Sequence, residues 1–320
     1  MKKLAIAVLL AALAASAIQA KSASRFASAQ TSKPPKKAAA DKPATRFSGK
    51  DALAYTVTAT QFGPRPSGSP ELDRTRKFME ASLASWKLKP EIDQFVASTP
   101  VGKIPMYNYI VKIPATNPAA VDHVVIVAGH YDTKRFKNIK FVGANDGGSS
   151  MGVLLELARV LSLTPRKDVS VWIVFHDGEE AQQGPWTKED SLWGAKHLAA
   201  KLQASGDVKK VKALINIDMI GNKNLSMLRD TYSTQWLNDL VRASATSIGL
   251  GTVFNDETTD IEDDHLPYLA AGVASVDLID FTSMNTFWHN EKDTTDKLSV
   301  ASMEQIGLVV LASIDAIAKR

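Results

Sequence analysis

Residues 169–180 read VSVWIVFHDGEE, an apolar run that passes without a break into a cluster of acids. Val169 to Phe175 are mostly apolar and rich in β-branched side chains. A short, continuous run of this kind suits a strand covered on both faces, since a strand with one wet face would alternate. Three further runs repeat the pattern: His123 to Ala128 (HVVIVA), Val211 to Ile217 (VKALINI) and Val273 to Ile279 (VASVDLI). Met106 to Ile113 (MYNYIVKI) reads as another strand. Helical spacing fills the gaps: Leu72 to Leu88, Ser149 to Ser162, Ser191 to Gln203, Thr234 to Ser247 and Met303 to Lys319. Strands alternating with helices predict an α/β protein, a three-layer α/β/α sandwich with a mostly parallel central sheet.

Outside this region the chain changes character. Lys2 and Lys3, the apolar Leu4 to Leu13 and the small residues that follow have the order of a bacterial signal peptide, 1–20. The apolar run is too short for a membrane span. An exported protein, periplasmic or secreted, is the expectation. Residues 21–48 are Ala, Ser, Lys and Pro with little to bury, and read as a flexible basic leader. A single catalytic domain is expected over 49–320. Charge follows the same division: residues 21–50 hold eight Lys and Arg against Asp41, whereas 51–320 hold 28 basic and 33 acidic residues, a net −5. A basic tail on an acidic body is a poor nucleic-acid binder despite the pI of 9.0. The absence of cysteine excludes disulfides, thiolate zinc sites and cysteine nucleophiles together.

Chemistry gathers where the apolar runs end, the edge at which open α/β sheets bind ligands. His130 and Asp132 follow the first run, and Asp146 stands in GANDGGSS ahead of a helix. Glu179 and Glu180 follow the second run, Asp218 the third, and His289 lies in FWH near the C-terminus. Each has an ordinary alternative: Asp146 as a helix N-cap, the glutamates as a solvated pair, Asp218 as a turn cap. Ordinary alternatives coinciding at successive strand ends is the weaker account. Imidazole and carboxylate ligands suit zinc without any thiolate. Adjacent glutamates past a strand end point different ways, so one can bind metal while the other acts as general base or acid.

The order HYD…ANDGGSS…DGEE…NIDMIG…WH resembles the zinc-dependent exopeptidases that include the two-zinc aminopeptidases. Further stretches are similar to the glutaminyl-peptide cyclotransferase branch of that fold: FHDGEEA (175–181), Trp186 with DSLWGAKHLA (190–199), and IEDDHLPY (261–268). The Asp preceding the DH pair, here Asp263, is the element that aminopeptidases usually lack.

The resemblance implies a zinc-exopeptidase-like fold and one zinc per chain, held by Asp146, Glu180 and His289. It implies Glu179 as acid/base, Asp218 and Asp263 as a supporting carboxylate network, and Trp186, Ile261, Glu262 and Trp288 as the substrate pocket. The implied reaction converts the N-terminal glutamine of peptides or proteins to pyroglutamate with release of ammonia, an intramolecular aminolysis assisted by zinc. Three departures stand out: Glu262 where animal members tend to have Gln, Gly184 and Pro185 in a lengthened loop, and no cysteines for the disulfide of animal members. A two-zinc aminopeptidase is the alternative, with His130 and Asp218 completing a second site bridged by Asp146.

Overall fold

A computed structural model describes residues 46–281 and 286–320. The expected signal peptide and residues 21–45 of the leader lie outside the described residues. The chain runs α1 (Gly49–Gln61), α2 (Pro70–Ser85), β1 (Glu91–Thr99), β2 (Gly102–Ile113), β3 (Val124–His130), α3 (Gly148–Leu163), β4 (Ser170–His176) and α4 (Trp193–Ser205). It continues through β5 (Val211–Asp218), β6 (Met227–Asp230), α5 (Gln235–Ser247), β7 (Phe254–Thr259), α6 (His265–Ala270), β8 (Ser275–Ile279) and α7 (Val300–Ile317).

Six strands form the main sheet in the order β1-β2-β4-β3-β5-β8. β3 pairs parallel with β4 and β5, and β5 parallel with β8. β2 is antiparallel to both β1 and β4. Every residue of β3 and β8 is buried, which is why β3 is apolar from Val124 to Ala128, while β8 buries Ser275 and Asp277 between its apolar residues. The faces divide by side-chain parity. Val125, Val127, Ile173, Ala213 and Ile215 point into one core with α1, α2, α3, α5 and α7. Val124, Ile126, Val174 and Leu214 point into the other with α4 and Tyr268 of α6. That is the expected three-layer α/β/α sandwich.

α3 is apolar on nearly all sides because it lies between the sheet and the outer helices. α7 is, among the described residues, the one helix long and apolar enough to cross a membrane. Its Met303, Ile306, Val310 and Ile314 are nonetheless buried in the core of this domain. Packing begins before residue 49: Phe47 is buried, and a Cβ on Gly307 would lie 2.2 Å from the Phe47 ring, so only glycine permits that approach. Ser48 caps α1 by accepting from the Asp51 amide.

Several elements lie outside the strand and helix expectations, the short α6 among them. α1 lacks a strong apolar stripe, β1 is a solvent-facing edge strand with Ile92 and Val96 turned outward, and β6 pairs with β7 in a separate two-stranded sheet. α2 also stops earlier than the apolar spacing suggests, because Lys87 takes a left-handed conformation (φ 62°).

The connections set the site. From β3 the chain crosses through α3 to β4, and from β4 through α4 on the opposite face to β5. The direction of winding reverses at β4, from which the chain passes back over β3 to β5, and the carboxyl ends of β3, β4, β5 and β8 open onto one crevice.

Candidate active site

His130, His176, Asp218 and Ile279 are the final residues of β3, β4, β5 and β8, so strand register alone carries their neighbours to one edge. Asp146 reaches the edge from the loop before α3. Gly147 caps that helix with φ +71°, and a Cβ there would meet the Asp132 carbonyl at 2.3 Å and the His130 ring at 3.0 Å. Only glycine fits this position. The Asp293 carboxylate accepts from the amides of Asn145 (2.8 Å) and Asp146 (3.1 Å). On the other side the fully buried Arg65 guanidinium donates to the carbonyls of Tyr131 (2.8 Å) and Gly143 (2.9 Å). The Asp146 loop is thus clamped from both directions.

Two donor clusters share Asp146. Its Oδ2 lies 3.3 Å from His289 Nε2, which lies 3.1 Å from Glu180 Oε1. Its Oδ1 lies 3.2 Å from His130 Nε2, which lies 3.1 Å from Asp218 Oδ1. In each trio, Asp146–Glu180–His289 and His130–Asp146–Asp218, the donor atoms lie within 4.8 Å of one another. Both sets could hold a cation. Burial alone would raise the Asp146 carboxyl, but His130 and His289 outweigh it and hold the group well below the usual carboxylate range. Burial opposes a proton on His289, yet Glu180 and Asp146 push its pKa up to about 10. Burial likewise opposes charge on His130, while Asp218, Asp132 and Asp146 hold it well above its ordinary value. His289 adopts φ +54°, a left-handed conformation that non-glycine residues rarely take, and the Trp288 ring stacks on it with centroids 4.1 Å apart.

On the opposite wall acids face acids, and burial outweighs the more distant His130. Burial pushes Glu179 well above its ordinary value against the pull of His130, with Glu180, Asp264 and Asp218 adding to the rise. Trp186 Nε1 donates to Glu179 Oε1 at 3.2 Å, and the Glu179 amide donates to Asp132 Oδ1 at 3.2 Å. Asp263 is also raised well above its ordinary value by burial, reinforced by Asp277, Asp218 and Glu179. The Asn216 amide donates to both Asp263 Oδ2 (3.0 Å) and Asp277 Oδ1 (3.1 Å), binding two buried acids with one NH₂ group.

Asp146, Glu179, Glu180, Trp186, Asp218, Ile261, Glu262, Asp263, Trp288 and His289 all line one open cavity of about 260 Å³. Asp260, Met219, Ile279 and Phe281 complete its wall. His130 is not part of that lining and lies behind it, 1% exposed. Glu262 at the rim pairs with Lys188 across 3.3 Å. His176, inside the quoted FHDGEEA stretch, is a fastening: its ring nitrogens lie 2.9 Å from Asp264 Oδ2 and 2.9 Å from the Tyr268 hydroxyl, joining β4 to α6. Sequence reasoning missed Arg65, Lys134, Asn216, Asp277 and Asp293. Two of them had a local signal: Asn216 opens the NIDMIG stretch two residues before Asp218, and Lys134 stands two residues after Asp132.

Residues 108–314 match Peptidase family M28. The glutaminyl-peptide cyclotransferase-like protein of Bos taurus is 31% identical over 281 residues, covering 78% of this chain and 71% of that protein. The glutaminyl-peptide cyclotransferase of Drosophila melanogaster is 28% identical over 272 residues, 77% and 75% respectively. The crystal structure of an Acidobacteriales bacterium glutaminyl cyclase superposes with a TM-score of 0.80 at 38% identity, covering 91% of this chain and all of that one. With a family match over more than half its length and a relative 31% identical over most of both chains, the chain belongs to peptidase family M28 and, within it, to the glutaminyl-peptide cyclotransferases.

Proposed function

We infer that the protein cyclises the N-terminal glutamine of peptides and proteins, closing the α-amine onto the γ-carboxamide carbon and releasing ammonia. The observation that carries this reading is the division of one cavity into a cation-binding trio and a separate set of proton-holding acids. Asp146, Glu180 and His289 would hold a zinc ion: two carboxylates and an imidazole are zinc donors, and Glu180 Oε2 is a buried acceptor with no hydrogen-bond partner among the described residues. Bound there, zinc supplies Lewis acidity toward the γ-carbonyl oxygen of the substrate.

The remaining work falls to the chain. Glu179 accepts a proton from the attacking amine and returns one to the departing ammonia, and its raised pKa makes it a stronger base than an ordinary carboxylate. Trp186 orients the Glu179 carboxylate through its indole N–H. Burial keeps Glu179 basic, reinforced by Glu180, Asp264 and Asp218, and Asp263 joins this carboxylate network through its own interaction with Glu179. Ile261, Phe281 and Trp288 supply the apolar surface that shapes the ring-closing conformer and excludes water. A neutral amine is required, so turnover should rise with pH through the α-amino range, about 7.7–8.0.

The second trio, His130–Asp146–Asp218, favours one other reading, a two-zinc aminopeptidase. Metal content per chain, measured together with turnover of glutamine and leucine amides, separates the two. About one zinc and glutamine cyclisation support the first reading; two tightly held zincs and leucine-amide hydrolysis overturn it. Lys2, Lys3 and the apolar Leu4 to Leu13 support export, which cell fractionation of the full chain would test.

A further inference from the structure

Lys134 follows β3 in the loop that leaves His130, and it is only 6% exposed. Its Nζ lies 3.5 Å from Glu180 Oε2, its one ion pair among the described residues. Neither atom has a hydrogen-bond partner there. The adjacent Arg135 differs: it is half-buried and satisfied by the Gln182 side chain and the Ser67 carbonyl. A buried ammonium is costly unless a nearby anion compensates it, and Glu180 is the anion that Lys134 faces.

The two oxygens of Glu180 therefore look in different directions. Oε1 faces His289 and the Asp146 trio at 3.1 Å, while Oε2 faces the ammonium. We propose that Lys134 is a positioning residue of the metal centre, holding Glu180 to a single-oxygen contact with the cation and sharing its negative charge. The proposal rests on Glu180 being a metal ligand. With Oε2 engaged, Glu180 would offer a bound cation one oxygen rather than two. A fixed positive charge beside the ligand also repels the cation, so the site binds metal less tightly than its donors would allow. The metal in turn keeps more of its charge for the substrate. Lys134 thus weakens metal affinity and raises turnover.

The test replaces Lys134 by two neutral residues, Lys134→Met and Lys134→Gln, and by Lys134→Arg, which keeps the charge. Zinc affinity of the metal-free protein is measured by competition with a chromogenic chelator, alongside thermal unfolding, kcat and KM on an N-terminal glutamine amide. Both neutral variants are expected to bind zinc about tenfold more tightly, with kcat down about tenfold and KM within about threefold. Lys134→Arg should return zinc affinity and kcat toward wild type. A lysine that only supports packing would lower unfolding temperature, zinc affinity and kcat together. Unchanged or weaker zinc binding in whichever neutral variants fold, or no zinc binding by the wild type, overturns the proposal. If the wild type binds zinc but cyclises no glutamine substrate, the functional reading fails, and the zinc affinities still decide the role of Lys134.

Discussion

Asp146 and Asp263 are both aspartates, both buried to within a few per cent and both in the lining of the same cavity, yet their environments drive them apart. On the Asp146 wall each carboxylate meets a cation: His130, His289 or Lys134. On the Asp263 wall acids face acids, and the hydrogen bonds come from neutral groups such as Asn216 and Trp186. Burial raises a carboxyl wherever nothing opposes it, so the decisive variable is the partner and not the depth. One wall gathers donors that could hold a cation, and the other raises its carboxyls toward the protonated form. Transfer of a proton beside a Lewis acid requires that division within a few ångströms.

The largest test of the contrast removes a donor from the first wall. Glu180→Gln should lower zinc affinity by at least roughly 100-fold, since a carboxamide is a poor zinc ligand, and activity should vanish with the metal. Equilibrium dialysis with zinc analysis checks this. Crossing to the second wall, Glu179→Gln should keep the zinc and lose turnover by roughly 10²-fold or more, the usual worth of a placed acid/base. Equal zinc loss in both variants would show that the two walls are not distinct.

Asp263→Asn preserves size while removing the charge. It should leave fold and zinc content intact and cut kcat on the order of 10²-fold. If Asp263 merely faced the start of α6, the cost would instead be about 0.3–1 kcal/mol of stability with normal turnover, which steady-state kinetics and chemical denaturation would distinguish.

The smallest effect lies deepest. Burial, against the pull of His265 and with Asp230 and Asp218 adding to it, pushes Asp277 up from an ordinary 3.8 to about 7. The folded chain then holds a proton that the unfolded chain releases. This contribution to stability is complete below the ordinary value and is lost as pH rises through about 7. Asp277→Asn cannot titrate, so its unfolding temperature should fall by about 2–4 °C less than that of wild type between pH 5 and 8. Parallel melting curves for the two proteins would remove Asp277 from the proton-holding wall.

The sequence showed much of this arrangement because local signals and tertiary roles coincide at the parallel strands. HVVIVA, VSVWIVF, VKALINI and VASVDLI are mostly apolar because helices cover both faces, and the acids follow them because the carboxyl ends of the strands open onto the crevice. Where the environment is mixed, the signal faded. β1 turns Ile92 and Val96 to solvent and Asp93 inward, inverting the pattern by which a half-buried strand is recognised. α1 packs through Gly49, Ala52, Thr56 and Ala59, residues too small to give a strong apolar stripe.

Residue types and their order thus set the sheet and its edge, since strand polarity obliges successive strand ends to meet, and the family resemblance supplied Trp186, Ile261, Glu262, Asp263 and Trp288 among the ten of fourteen cavity-lining residues named from the sequence. They did not reveal Arg65 gripping the Asp146 loop from 81 positions away, Asp293 supporting it from 147 away, or Asn216 tying Asp263 to Asp277. Nor did they say which oxygen of Glu180 faces Lys134. Those contacts join segments with no common period or motif. They exist only once burial has removed water and left each polar atom to find its partner within the folded chain.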